Sequence, residues 1–242
     1  MNISMGRVQA ISRKEFRDYR RNRFVVFTMA VAPVAFVTWA LISILAIPAA
    51  QPSGALDTTV GLSMLFMLLV PATVPAVISA YAVVGEREQG TLEPVLTTPL
   101  TNEEFLVGKA LAALVPTLAI SYAIFGLVLA CVALFALPAV SSAVFQAPLL
   151  LALALFTPLI AGWSILVGIA VSARSRDVRV AQQIATFASF PPVAVTALMS
   201  FGVIPQSLAV ALGLAAGLVL VDSLGWRAVS AMFDRERLVT RS

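Results

Sequence analysis

From residue 110 to residue 173 the chain runs for 64 residues without a charged side chain. Few folds can use such a run. A soluble domain carries charge on roughly one residue in four. Here 12% of the chain is charged and 60% is apolar. In lipid, every backbone donor and acceptor must be satisfied inside its own segment, which favours helices. A helix needs roughly 20 residues to cross about 30 Å of hydrocarbon. The run is too long for one helix, so it must turn. The stretch from Pro138 to Pro148, with Ser141, Ser142 and Gln146, marks the place. Spans are expected at 110–137 and 148–173.

The rest of the chain divides in the same way. Residues 24–47 are uncharged and form a first span, too long to be the apolar core of a cleaved signal peptide. Residues 48–59 hold Pro48, Gln51, Pro52, Ser53, Gly54 and Asp57, and read as a loop. A second span is expected at 60–85, kinked at Pro71 and Pro75. Residues 180–226 carry one charge, Asp222, and break around Gly202–Ser207 into spans at 180–201 and 207–226. The expected fold is an all-α integral membrane protein of six spans. Its parts are an N-terminal segment, 1–23, a six-span domain, 24–227, containing the polar segment 86–109, and a tail, 228–242.

Charge placement tests that count. All 16 Lys and Arg residues fall before span one, between spans two and three, between four and five, or after six. With six spans those four segments share one side, which the positive-inside rule makes cytoplasmic. A miscount by one would scatter them over both faces. Both termini are therefore expected in the cytoplasm, and the protein in the cell (plasma or inner) membrane. A nucleic-acid partner is not expected, because the basic residues form short clusters between apolar runs rather than one basic face.

Two polar segments stand out. In the first, Val8, Ile11, Phe16 and Tyr19 fall on one helical arc, with Arg13, Lys14, Arg17, Arg20 and Arg21 opposite. That describes a helix lying in the inner interface, its arginines near anionic headgroups. Glu15 intrudes on the apolar arc. The second segment begins Glu86-Arg87-Glu88-Gln89-Gly90. Gly90 can stop the second span. Thr91 can cap a short helix with Glu93 in its first turn, and Pro99 would end it. Thr101 and Glu104 form a capping box that starts the next helix. Helix end, short cytoplasmic helix, corner and new helix together suggest a docking element rather than a plain connector.

The run from Glu86 to Lys109, and Lys14-Glu15-Phe16 followed by arginines ahead of the first span, resemble the type-2 ABC transporter permeases. The six-span layout is similar too, so the resemblance covers essentially the whole chain. It implies that the short cytoplasmic helix is a coupling helix seated in a groove of a separate ATP-binding subunit. It also implies an assembly of two ATPases with two permeases, the second a copy or a paralogue, in which ATP-driven closure moves the spans. The positions it carries over are Glu86, Glu88, Gly90, Thr91, Leu92, Glu93 and Pro99. Leu92, Val95 and Leu96 can supply an apolar docking face, and the acids can meet basic residues of the partner. Lys14, Glu15, Phe16, Arg17 and Tyr19 correspond to the family's interfacial elbow helix.

No ATP hydrolysis is expected from this chain. It lacks a G-x-x-x-x-G-K-[ST] loop; Gly108-Lys109 has no glycine at the required upstream spacing. ATP and Mg are expected in the partner ATPase, with no cofactor in this chain. The absence of histidine rules out Ser–His chemistry and the usual metalloprotease site, and no metal site is expected. The competing classes are a gradient-driven transporter or channel and an intramembrane enzyme. The first usually needs intramembrane charge or paired broken helices. Spans one to five have no charge in their interiors.

Asp222 is the one ionisable group within the last apolar stretch. It is either functional or close enough to Arg227 to reach headgroups or pair. Gly213 and Gly217 can admit a close helix neighbour. Pro191-Pro192 should distort span five, as a hinge or a fixed kink. Trp39, Trp163 and Trp226 are candidate interfacial anchors. The nearly charge-free spans suit a hydrophobic or amphipathic cargo, such as a lipid.

Overall fold

The computed structural model describes residues 4–48, 52–88, 90, 101–205 and 207–232. All the regular structure among them is helical. The helices are α1 (Met5–Arg21), α2 (Arg23–Leu45), α3 (Ser53–Ala80), α4 (Val84–Glu88), α5 (Asn102–Phe135), α6 (Pro138–Val144), α7 (Ala147–Arg174), α8 (Val178–Ala188), α9 (Phe190–Ser200) and α10 (Leu208–Met232). Six segments among them are long and apolar enough to cross a membrane: Val25–Leu45, Gly54–Glu88, Asn102–Phe135, Ala147–Arg174, Val178–Ser200 and Leu208–Met232. The expected count of six spans is the observed one.

Span two is the centre of the bundle and the most buried span. It packs on α2, α5, α7, α8 and α9. Helices in lipid gain nothing from hiding apolar surface from water, so close packing of small residues must hold them. At the α3–α7 crossing Gly168 lies so close to Ser79 that a Cβ there would overlap its hydroxyl. Chain hydroxyls satisfy themselves along the helices: Ser79 donates to Pro75 O at 2.6 Å, Thr117 to Ala113 O at 2.8 Å and Ser164 to Ile160 O at 2.8 Å.

Three boundaries differ from expectation, each for a local reason. The loop read at 48–59 is mostly helix, because α3 begins at Ser53 behind Pro52. Its turn-forming residues are start signals: proline is tolerated where the first N–H groups have no partner. The Thr58 and Thr59 hydroxyls then bond back to Gly54 O and Ala55 O. The turn expected at 138–148 contains α6, opened by Pro138 at its first position and burying Val140 and Val144. Span five is broken rather than bent. Pro191 and Pro192 stand in the first turn of α9, and Ser189 separates it from α8. The Trp163 indole donates to Ala188 O at 3.0 Å, satisfying a carbonyl at that break, so Trp163 is an internal strut and not an interfacial anchor.

Pro71 and Pro75 do not interrupt α3; the break falls after them, at Tyr81–Val83, before the short α4. Gly90 then adopts φ +67°, the left-handed region where glycine is favoured, and its N–H bonds to Arg87 O at 3.1 Å. On α5 both bonds of the expected capping box are present. Thr101 Oγ1 accepts from Glu104 N at 3.1 Å, and Glu104 Oε2 accepts from Thr101 N at 3.0 Å. No Cβ-distance neighbour stands at Gly213 or Gly217, so their face is not used within the described chain.

Candidate functional site: a charged junction at the end of span two

Helix α1 lies along the first turns of α5. Val8, Ile11, Glu15 and Tyr19 form its buried stripe, while Arg13, Arg17, Arg20 and Arg21 are exposed. The apolar arc expected to face lipid is thus covered by the protein's own helix, with Phe16 half-buried beside it. Contact is close because α5 offers Gly108 under Ile11; a Cβ at Gly108 would sit 2.8 Å from the Ile11 side chain. The Ser12 hydroxyl donates to Gly108 O at 3.0 Å. At the start of α1, Glu104 accepts from Ser4 N at 2.8 Å and pairs with Arg7 at 3.4 Å.

Glu15, the apparent flaw in the arc, is what the docking is built around. Lys109 Nζ lies 2.7 Å from Glu15 Oε1 and 2.8 Å from Glu86 Oε1. Lys14 Nζ reaches the same Glu86 oxygen at 2.6 Å. The Lys109, Glu15 and Glu86 side chains are 4%, 8% and 6% exposed. Two cations and two anions cancel, which is the condition for keeping charge out of water. The Phe105 ring lies 5.2 Å below the Lys109 ammonium.

Neighbouring groups on α1 respond to this field. Burial, then the Glu15 carboxylate as charge and acceptor, push the Tyr19 phenol well above its ordinary value. Burial works against the ammonium of Lys14. The hydrogen bond and charge of Glu86, with Glu15 and Asp18 behind, outweigh it and raise the group above its usual value.

Glu86, Arg87 and Glu88 each hold a different element. Glu86 joins α1 and α5 through the two lysines. Arg87 Nη1 donates to Ser175 O, just past α7, at 3.1 Å. Glu88 Oε1 accepts from Val178 N at 3.2 Å and so helps cap α8, where Asp177 accepts from Arg179 N and Val180 N. The break ahead of them is stitched by Ser172 on α7. Its hydroxyl donates to Ala80 O at 2.6 Å and accepts from Val83 N and Val84 N, each at 3.0 Å.

Glu86 was expected to face a partner; the structure turns it inward, where Lys14 and Lys109 offer charge. Glu88 stays exposed but is engaged in capping α8. Thr91, Leu92, Glu93, Val95, Leu96 and Pro99 lie outside the described residues. Lys109 and Ser172 were not singled out from sequence. For Lys109 a signal existed: two carboxylates on otherwise apolar surroundings, Glu15 and Glu86, require cations. For Ser172 there was none.

Among the described residues Asp222 meets no arginine. It stands ten residues before the end of α10 at Met232, with its carboxylate against Gly162 on α7 and Oδ1 buried without a hydrogen-bond partner. The expected pairing with an arginine is not seen among the described residues: the helix directs the carboxylate at α7.

No curated protein matches the chain. The sequence model of ABC-2 family transporter proteins matches residues 9–206, from α1 to the end of span five. Its members are membrane transport subunits that work with an ABC ATPase and are not ATPases themselves. With the charged junction and five of the six spans inside the matched region, the chain belongs to the ABC-2 transporter family.

Proposed function

We propose that this chain is the permease subunit of an ATP-driven exporter, coupled through residues 91–99 to a separate ATPase that carries ATP and Mg. In the full assembly two such permeases pair with two ATPases, with both termini of each permease cytoplasmic. The observation that carries this reading is the triple anchorage of Glu86, Arg87 and Glu88. These residues stand immediately before the docking segment and grip α1 and α5, the end of α7, and the start of α8. A displacement of 91–99 is therefore passed to several spans together rather than absorbed in a loose connector.

The test is gentle-detergent purification of the tagged chain from its native cells, with mass spectrometry of what accompanies it. A phosphate-loop ATPase should co-purify and be lost when Leu92 and Glu93 are replaced. Lys109→Met should retain the ATPase yet uncouple its hydrolysis from transport. Recovery of the chain without an ATPase, under conditions that keep other membrane complexes whole, would sink the proposal.

One observation favours a gradient-driven transporter instead: the Asp222 carboxylate inside span six, whose Oδ1 is buried without a hydrogen-bond partner among the described residues. Under that reading, transport in vesicles without nucleotide follows an ion gradient and is abolished by Asp222→Asn. Under the exporter reading, transport requires ATP.

A further inference from the structure

At the end of the bundle remote from the charged junction, α3, α7, α9 and α10 enclose a cavity of about 90 Å³. Its wall is apolar and adaptable, built from Met64, Phe156 and Met199. Its rim is polar but uncharged, carrying Gln146, Ser200 and Ser207. Gly61 lets α3 and α9 close one side, since a Cβ there would already touch Ser200 at 3.4 Å. Behind the seam of α7 and α10 lies an open groove of about 380 Å³ lined by Leu155, Pro158 and Leu212. Ala152 and Ala211 line both spaces, so the open groove and the cavity meet at these two small residues.

These features select an occupant. Drug-sized ligands fill pockets of roughly 300–1,000 Å³, so the cavity itself is too small for a bulky molecule and suits one chain end. No charged side chain lines the cavity or the groove, which disfavours an ionised headgroup. Ser207 Oγ accepts from Val210 N at 3.3 Å, leaving its proton to give, and the exposed Gln146 amide can both give and accept. We propose that this seam binds one uncharged, single-chain amphiphile that enters sideways. Its tail passes between Ala152 and Ala211 into the cavity, and its hydroxyl or amide headgroup rests on Gln146 and Ser207.

The inference goes beyond the exporter reading and does not need the ATPase, so its failure would leave that reading untouched. The experiment uses the full chain in phosphatidylcholine vesicles and a monoacylglycerol with a photoactivatable group at its tail end. Labelling should concentrate on Met64, Phe156 and Met199 and be competed away by unlabelled monoacylglycerol. Ala211→Phe should lower it several-fold, while Gly213→Leu, on the outward face of α10, should leave it unchanged. Competition on the wild-type protein keeps the test valid if Ala211→Phe folds poorly. Labelling spread evenly over the lipid-facing helices, or equal labelling by an anionic lysophosphatidic acid probe, would overturn the proposal.

Discussion

Lys109 is the residue on which the junction depends most. It is buried between Glu15 and Glu86, and among the described residues nothing else buried there carries positive charge. Lys109→Met leaves two carboxylates facing each other without a buried cation. Removing one partner of a buried pair costs about 3–5 kcal/mol. The variant should melt well below the wild type in mild detergent, and adding Glu15→Gln should recover part of the loss. Equal melting of Lys109→Met and wild type would show that the network contributes nothing to stability. Lys14 and Tyr19 set the pH response. Both bind their proton more tightly folded than unfolded. Their contribution is therefore complete below the ordinary values near pH 10 and is lost as pH rises through the raised ones. On the alkaline side the docked α1 should hold until strong alkali. An ultraviolet titration of tyrosinate should show a late-ionising component that is lost in Tyr19→Phe; an unchanged titration curve in Tyr19→Phe would contradict it.

At the scale of elements, α1 is held by shape as well as charge. Gly108 is the point of closest approach, and even one added methyl group collides with Ile11. Gly108→Ala should therefore partly release α1 with every charged group intact. Limited trypsin digestion at Arg13 and Arg17 should run several-fold faster in Gly108→Ala. Combining it with Ile11→Gly should restore part of the protection, because only loss of the Ile11 Cβ itself, 2.8 Å from the added methyl group, makes the space. Accelerated cleavage that persists in the double variant would mean that the close contact is not what holds the helix. The same logic explains span five. Two prolines in a first turn cost a helix little, whereas in its interior they would remove bonds and clash. The chain therefore starts a new helix at Phe190 and uses Ser189 and Trp163 to satisfy the break.

Over the whole molecule, the two ends of the bundle differ in kind. One end gathers α1, α4 and the start of α5 in a neutralised charge network; the other holds α6 and an uncharged cavity. The positive-inside rule predicts that the charged end lies in the cytoplasm. Single cysteines at exposed Arg13 and at Ser142, in a Cys131→Ser background, should react with an impermeant maleimide on opposite sides of intact cells: Ser142→Cys from outside, Arg13→Cys only after permeabilisation. Labelling of both from one side would refute the six-span topology.

Helix type and span count were legible in the sequence because each follows from the bilayer, and the sidedness of charge is predicted on the same ground. A backbone in lipid must close its own hydrogen bonds, and basic residues avoid the translocated side. The capping box at Thr101 and the left-handed stop at Gly90 were legible too, since their chemistry is local. What the sequence could not say was who meets whom. Glu15 looked like an imperfection until α5 brought Lys109 beneath it, and Glu86 looked outward until both lysines closed on it. Asp222 was placed near its own arginine by spacing, yet helix rotation aims it at Gly162. Pairings of this kind join residues from 23 positions apart, as in Glu86 with Lys109, to 72, as in Lys14 with Glu86, and beyond. They are decided by how helices rotate and cross, and in lipid that depends on where small residues let two backbones approach.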